Sequence, residues 1–244
     1  MRSPERGADP VPARGPRVNI AIYGQAVVHL VRHPSILVLP LIAALIDMFI
    51  SYWSTLFTDP LGGFATGLFQ FAVQIVYLFA FGGAVIQANN IARGYRTGFD
   101  DAWEETRRKS MGIFLAAIGF AFLVSAGAYV GSMLGIPLLG IALQLLAYFF
   151  LIFMIPASAI GGLPGSLAVT GSINAVRANW PAAVILAIAF GIVWLVIPQV
   201  LLAPLAPYGI IVSMIALALV RAVLLAYLAF PFAVTYDETA FRGF

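Results

Sequence analysis

A chain of 244 residues that is 62% hydrophobic and only 9% charged carries more apolar surface than a globule of this length can bury, since soluble domains are about a quarter charged. That excludes a water-soluble enzyme or binding domain and points to an integral membrane protein. The lack of cysteine excludes disulfides, thiolate metal sites and cysteine nucleophiles, and the net charge of +3 follows from topology, not from a nucleic-acid partner.

Residues 1–17, "MRSPERGADPVPARGPR", are polar and rich in Pro and Gly, and read as a disordered cytoplasmic tail. The first apolar segment beyond them is amphipathic, so no cleaved signal is expected. Residues 18–244 read as one transmembrane domain. Long stretches without charge (60–92, 110–176 and 178–220) hold segments of about 20 apolar residues, enough to cross the hydrocarbon. They predict helices near 35–56, 64–90, 111–134, 138–160, 181–202 and 209–235. The breaks fall at "TDPLGG" (58–63), "GIP" (135–137) and "APLAPY" (203–208), all rich in Gly or Pro.

Of the 13 basic residues, all but Arg221 fall before span 1, between spans 2 and 3, between spans 4 and 5, or after span 6. The three opposite turns hold none. The positive-inside rule makes the basic side cytoplasmic, with both termini inside. Arg in place of Lys, with abundant Ala, Gly and Pro, fits a GC-rich bacterial genome and hence a bacterial inner membrane.

Three segments on the basic side share one plan: a short amphipathic helix, an Arg, a hinge of a few residues, then a span. They start at Val18, Phe99 and Leu167 and carry Arg32, Arg108 and Arg177, a recurrence of roughly 70 residues that reads as duplication. The apolar positions Ile20, Tyr23, Val27 and Val31 define the face of the first helix. Such helices lie in the membrane interface or fold over a cytoplasmic mouth. The expected fold is all-α: six spans as three hairpin units, with three cytoplasmic-side amphipathic helices and no obvious broken helix.

The stretch "IPASAIGGLPGSLAVTGSINAVRANWPAAVILAI" (155–188) sets Gly161, Gly162, Pro164, Ser172, Arg177 and Trp180 in order ahead of the fifth span. In that order it resembles a loose group of bacterial six-span proteins, among them the membrane domain found beside some glycerophosphodiester phosphodiesterases. The resemblance implies the topology and no reaction, because the sequence contains no phosphodiesterase domain.

Few side chains offer chemistry. "DDAWEE" (100–105) has the spacing of an acidic magnesium-diphosphate motif but lacks a second facing cluster, and reads as an acidic helix start. His29 and His33 share a helix face without a third ligand, so no metal or other cofactor is expected. Gly127, Gly131 and Gly135 form GxxxGxxxG on span 3, a packing face toward span 4 or a dimer face. Gln74, Gln87, Asn89, Asn90, Gln144 and Gln199 read as hydrogen-bonding ties between helices.

The remaining pair is Asp47 and Arg221, the acid and the base inside the six predicted spans. Each lies twelve residues into its span from opposite edges, about 18 Å, so their depths differ by about 6 Å in a core about 30 Å thick. They are expected to pair. Ionisable residues within spans are functional by default, which favours transport or permeation of a small solute. A non-catalytic scaffold for a membrane-protein partner, or a homodimer, is the alternative. A lipid-modifying enzyme is third, for want of an acid–His or metal constellation. Reporter fusions at Pro60, Pro137 and Pro207 are expected on the external side, and those at Trp103, Asn174 and the C-terminus in the cytoplasm. A cytoplasmic signal at Pro137 would make spans 3 and 4 one re-entrant element.

Overall fold

The computed structural model describes residues 18–56, 58–95 and 98–241, and the expected tail at 1–17 lies outside them. All described elements are helical. In chain order they are α1 (Ala21–Arg32), a 3-10 turn (Pro34–Leu37), α2 (Val38–Leu56), α3 (Thr58–Ala92), α4 (Phe99–Met133) and α5 (Pro137–Leu151). Then follow α6 (Met154–Ala159), α7 (Ser166–Ala178), α8 (Trp180–Gly191), a π turn (Ile192–Val196), α9 (Ile197–Leu202), a 3-10 turn (Ala203–Tyr208) and α10 (Ile210–Ala240). Among the described residues, six stretches are long and apolar enough to cross a bilayer: Pro34–Trp53, Gly67–Ala92, Phe99–Met133, Pro137–Ala159, Trp180–Leu202 and Ile211–Ala240.

The centre of the bundle is lined by small residues. Ala43, Ala44, Ala84, Ala88, Ala116, Ala117, Ala226, Ala229 and Ala233 are all buried. Between apolar helices in lipid there is little hydrophobic gain on association, so close backbone approach supplies the dispersion contact. α10 packs on both α2 and α3, α3 on α4, and α4 on α5. The stretch from α8 to α9 is the least enclosed, with only 18% of its most apolar window buried.

The glycine row divides. A Cβ on Gly127 would stand 2.7 Å from Gln144 N, and one on Gly131 would collide with the Gly140 backbone. Both glycines therefore seat α5 on α4, and this part of the face is occupied within the chain. Gly135 does not belong to it. It lies past the end of α4 with φ +65°, and a Cβ there would meet nothing within 4 Å. Its N–H bonds Ser132 O at 3.1 Å while Ile136 N–H bonds Gly131 O at 2.9 Å, a Schellman C-cap. A fixed four-residue spacing cannot tell a packing glycine from a capping one.

Proline explains three further departures. A hinge separates α1 from α2 and α7 from α8, but α4 runs unbroken from Phe99 to Met133. The extended His33 precedes Pro34 (φ −128°, ψ 67°), where the proline ring disfavours helix. Pro181 has no N–H for the carbonyl of Arg177. The segment "RRKSMGIF" contains no proline, so nothing stops the helix. Span 4, expected whole, breaks after Leu151 because Pro156 cannot bond Ile152 O. Ser172 from α7 bridges the gap, donating to Phe150 O at 2.8 Å and accepting from Phe153 N–H at 3.0 Å. Span 5, also expected whole, loosens into the π turn before Pro198, which offers no N–H to Trp194 O.

On α1 the buried positions are Ile22 and Ala26, whereas Ile20, Val27 and Val31 are exposed. Those three thus stand on the outer face, while Tyr23 of the same stripe is partly buried against the core and its carbonyl accepts from Tyr227 Oη of α10 at 3.2 Å. Replacing Gly131 with Ile is expected to cost about 1–3 kcal/mol through forced separation of α4 and α5. The exposed Ala128 should tolerate Ile within about 0.5 kcal/mol. Equal shifts in melting temperature for the two variants would remove Gly131 from the packing face, and a changed oligomer size with unchanged stability would restore the dimer reading.

Candidate functional site

Asp47 lies in the middle of α2, where neighbouring helices and not water must satisfy it. Arg221 Nη1 of α10 donates to its Oδ2 at 2.6 Å. Tyr77 Oη of α3 donates to the same oxygen at 2.9 Å, and Ser51 Oγ, one turn along α2, donates to Oδ1 at 3.1 Å. Three helices thus converge on one carboxylate. The Asp47 side chain is 13% exposed and that of Arg221 33%, so the acid is enclosed while the guanidinium reaches the edge of the bundle.

Trp194 covers that edge. Its ring lies 5.9 Å from the Arg221 guanidinium carbon, and it meets Tyr77 edge-on at 5.6 Å and Phe190 in a stack at 5.9 Å. A guanidinium over a tryptophan face is attracted by the ring quadrupole, by about 2 kcal/mol when desolvated. Trp194 belongs to the π turn, where one extra residue per turn shifts the direction of the following side chains. No protein-family model, curated protein or solved structure matches this chain. The geometry of the site therefore carries the functional argument.

A second polar centre occupies the end of the bundle that bears Arg32, Arg107, Arg108 and Arg177. Arg93 is the C-cap residue of α3, fixed there by Gly94 (φ +81°) and the bond from Tyr95 N–H to Asn90 O at 3.0 Å. Its guanidinium pairs with Asp237 in the last turns of α10. Lys109 of α4 binds Glu105 at 2.8 Å and also caps the terminal carbonyl of α6, Ala159 O, at 2.8 Å. Asn90 donates to Glu105 at 3.0 Å, and Gln87 ties α3 to Ser35 at 2.7 Å. Asn89 is 7% exposed, and its side-chain amide meets no hydrogen-bond partner among the described residues.

The structure brings Asp47 and Arg221 together, and it places Gly127 and Gly131, without Gly135, at the α4–α5 contact. His29 and His33 stack with centroids 6.5 Å apart, and His29 lies on Phe230 at 5.3 Å. In the acidic stretch, Glu104 meets Arg107 at 3.4 Å along the helix. Sequence reasoning missed Ser51, Tyr77, Trp194 and the Arg93–Asp237 pair. Ser51 was accessible, being four residues from Asp47 on the same face. The others are joined by helix arrangement alone.

Removing one member of the ion pair strands the other among apolar helices. Asp47→Ala and Arg221→Ala are each expected to destabilise by roughly 3 kcal/mol, and the double variant by less than their sum. Melting temperatures of the two singles, the double and the charge swap test this. Additive losses with no recovery in the swap would sink the coupling.

Proposed function

We propose that the chain is a multi-pass protein of a bacterial cytoplasmic membrane that moves a small polar solute, without enzymatic activity. The Arg93–Asp237 end and both termini face the cytoplasm, in keeping with the distribution of basic residues. The observation that carries the reading is the Asp47–Arg221 pair with its Tyr77 and Ser51 donors. Ionisable side chains inside spans are costly, and packed apolar residues brace helices at least as well. The irregular backbone adds support. π turns concentrate at functional sites, and span 5 places one against the ion pair. Interrupted helices such as span 4 are tolerated where the backbone is enclosed by protein or lines a cavity.

In this reading the six spans group as three hairpins, the first and third preceded by a separate helix at the cytoplasmic surface and the second by the N-terminal turns of α4 itself. The exposed Ile20, Val27 and Val31 of α1 support such a placement by offering apolar side chains to the acyl boundary. Kinship with the six-span domain beside glycerophosphodiester phosphodiesterases belongs to the same proposal and adds no reaction.

A scaffold role is the second reading. It is favoured by the low burial of the stretch from α8 to α9, 18% in its most apolar window, which leaves a face for a partner helix or a second copy. Proteoliposomes shocked with urea, glycerol, glycine or 4-aminobutyrate, followed by light scattering, separate the two. At least one permeant is expected to enter faster than into empty liposomes, and the folded Asp47→Ala/Arg221→Ala variant to lose most of that excess. No excess for any of the four, with reproducible co-purification of one membrane protein, would decide for the scaffold.

A further inference from the structure

Two clefts open side by side at the basic end of the bundle. One, of about 350 Å³, lies between the ends of α3, α4 and α6 and is lined by Asn90, Arg93, Glu105 and Lys109. The other, of about 210 Å³, lies between α1, α3 and α10 and is lined by Gln25, His29, Arg93, Asp237 and Glu238. Asn89 and Arg93 line both. One water takes about 30 Å³ of liquid, so each lobe has room for a group of several heavy atoms, more than a bare ion needs.

The lobes differ in charge. Among the described residues, Arg93 and Lys109 outweigh Glu105 in the larger one, whereas Asp237 and Glu238 outweigh the shared Arg93 in the smaller. His29 adds no compensating charge there near neutral pH, because burial, and then His33 and Arg32, hold its imidazole below its ordinary range. Asn89, 7% exposed and without a side-chain partner among the described residues, offers a donor and an acceptor where the lobes join. His29 Nδ1, on the wall of the smaller lobe, is a buried polar atom without a hydrogen-bond partner among the described residues, and such atoms call for one.

We infer that this double cavity binds a small zwitterion, an ammonium and a carboxylate on a short spacer. The inference names the solute class for the transport reading and rests on it. An anion alone on Arg93 would leave the Asp237 carboxylate, 7% exposed, without that cation. An amine alone on Asp237 would strip Arg93 of its acid. A zwitterion inserts between them, carboxylate to Arg93 and ammonium to Asp237 and Glu238, with no change in enclosed net charge. Lys109 is committed to Glu105 and Ala159 O and contributes field more than contact. A phosphoethanolamine headgroup carries the same two charges, and the source is separable by experiment.

The test is equilibrium binding of radiolabelled 4-aminobutyrate to the full chain in phosphatidylglycerol nanodiscs. Competitors are the ω-amino acids from glycine to 6-aminohexanoate, with butyrate and butylamine as single-charge controls. The amino acids are expected to compete best at one chain length, and both controls at least tenfold more weakly. Glu238→Gln, which removes a carboxylate outside any ion pair among the described residues, should weaken binding about fivefold at unchanged melting temperature, and Arg93→Gln further. Loss of 4-aminobutyrate binding in nanodiscs containing phosphatidylethanolamine would keep the site and assign it to a headgroup. Lack of saturable binding in either nanodisc, equal competition by butyrate or butylamine, or unchanged affinity in both variants overturns the inference. Binding without flux in proteoliposomes keeps the site and removes transport. Flux of another solute without zwitterion binding does the reverse.

Discussion

A carboxylate in the middle of an apolar helix constrains everything around it. Asp47 needs a cation and hydrogen-bond donors at its own depth, because an unpaired charge there costs about 2.5–3.5 kcal/mol on insertion scales. Its cation comes from a residue 174 positions away along the chain. Satisfying Asp47 therefore requires the last span to lie against the first, and the Tyr77 bond requires the second span to join them. The packing of α10 on both α2 and α3 meets that demand, and the alanine-rich surfaces of these helices let the backbones come close enough for it.

The same economy of polar contacts governs the irregular places. The break ahead of Pro156 leaves backbone groups in span 4 that hydrocarbon would not satisfy, and Ser172 takes up two of them, Phe150 O and Phe153 N–H. Ser172 is itself fully buried, so its hydroxyl has this task and no exposure to solvent. At the basic end the orphan carbonyl of α6 receives Lys109, and Asp237, an acid at a helix C-terminus where the dipole disfavours it, is held by Arg93. At the basic end, helix termini thus account for the placing of Lys109 and Arg93.

Span positions were legible in the sequence because hydrocarbon thickness sets a length and an absence of charge that any chain must obey. The Asp47–Arg221 contact was legible for a related reason: two opposite charges at similar depth leave few alternatives. Gly135 was misread because GxxxG spacing is the same whether the last glycine packs or caps, and only its positive φ distinguishes them. The apolar stripe of α1 was legible, but its contact with α10 through Ile22 and Ala26 was not, because apolar residues occupy both sides of that helix and periodicity does not say which side meets protein. The breaks in spans 4 and 5 had a visible signal in Pro156 and Pro198, outweighed by the continuous apolar run around each. The Arg93–Asp237 pair had none, since each residue reads alone as an ordinary interfacial charge.

Two ion pairs at different levels share one helix. Arg221 and Asp237 are sixteen residues apart on α10, about 24 Å along its axis, and they hold it to α2 in the apolar interior and to α3 at the basic end. Sliding or tilting α10 against either neighbour would separate opposite charges where little water is available to replace them. Span 5 carries no such restraint. It has no charged residue between Trp180 and Leu202, little burial, and a π turn whose hydrogen bonding is already irregular. Its links to the charged centre run through Trp194, whose ring lies over Arg221 and meets Tyr77 edge-on, contacts weaker than a buried ion pair. Displacing α8 and α9 would therefore keep both ion pairs of α10 intact while uncovering the Arg221 side of the carboxylate.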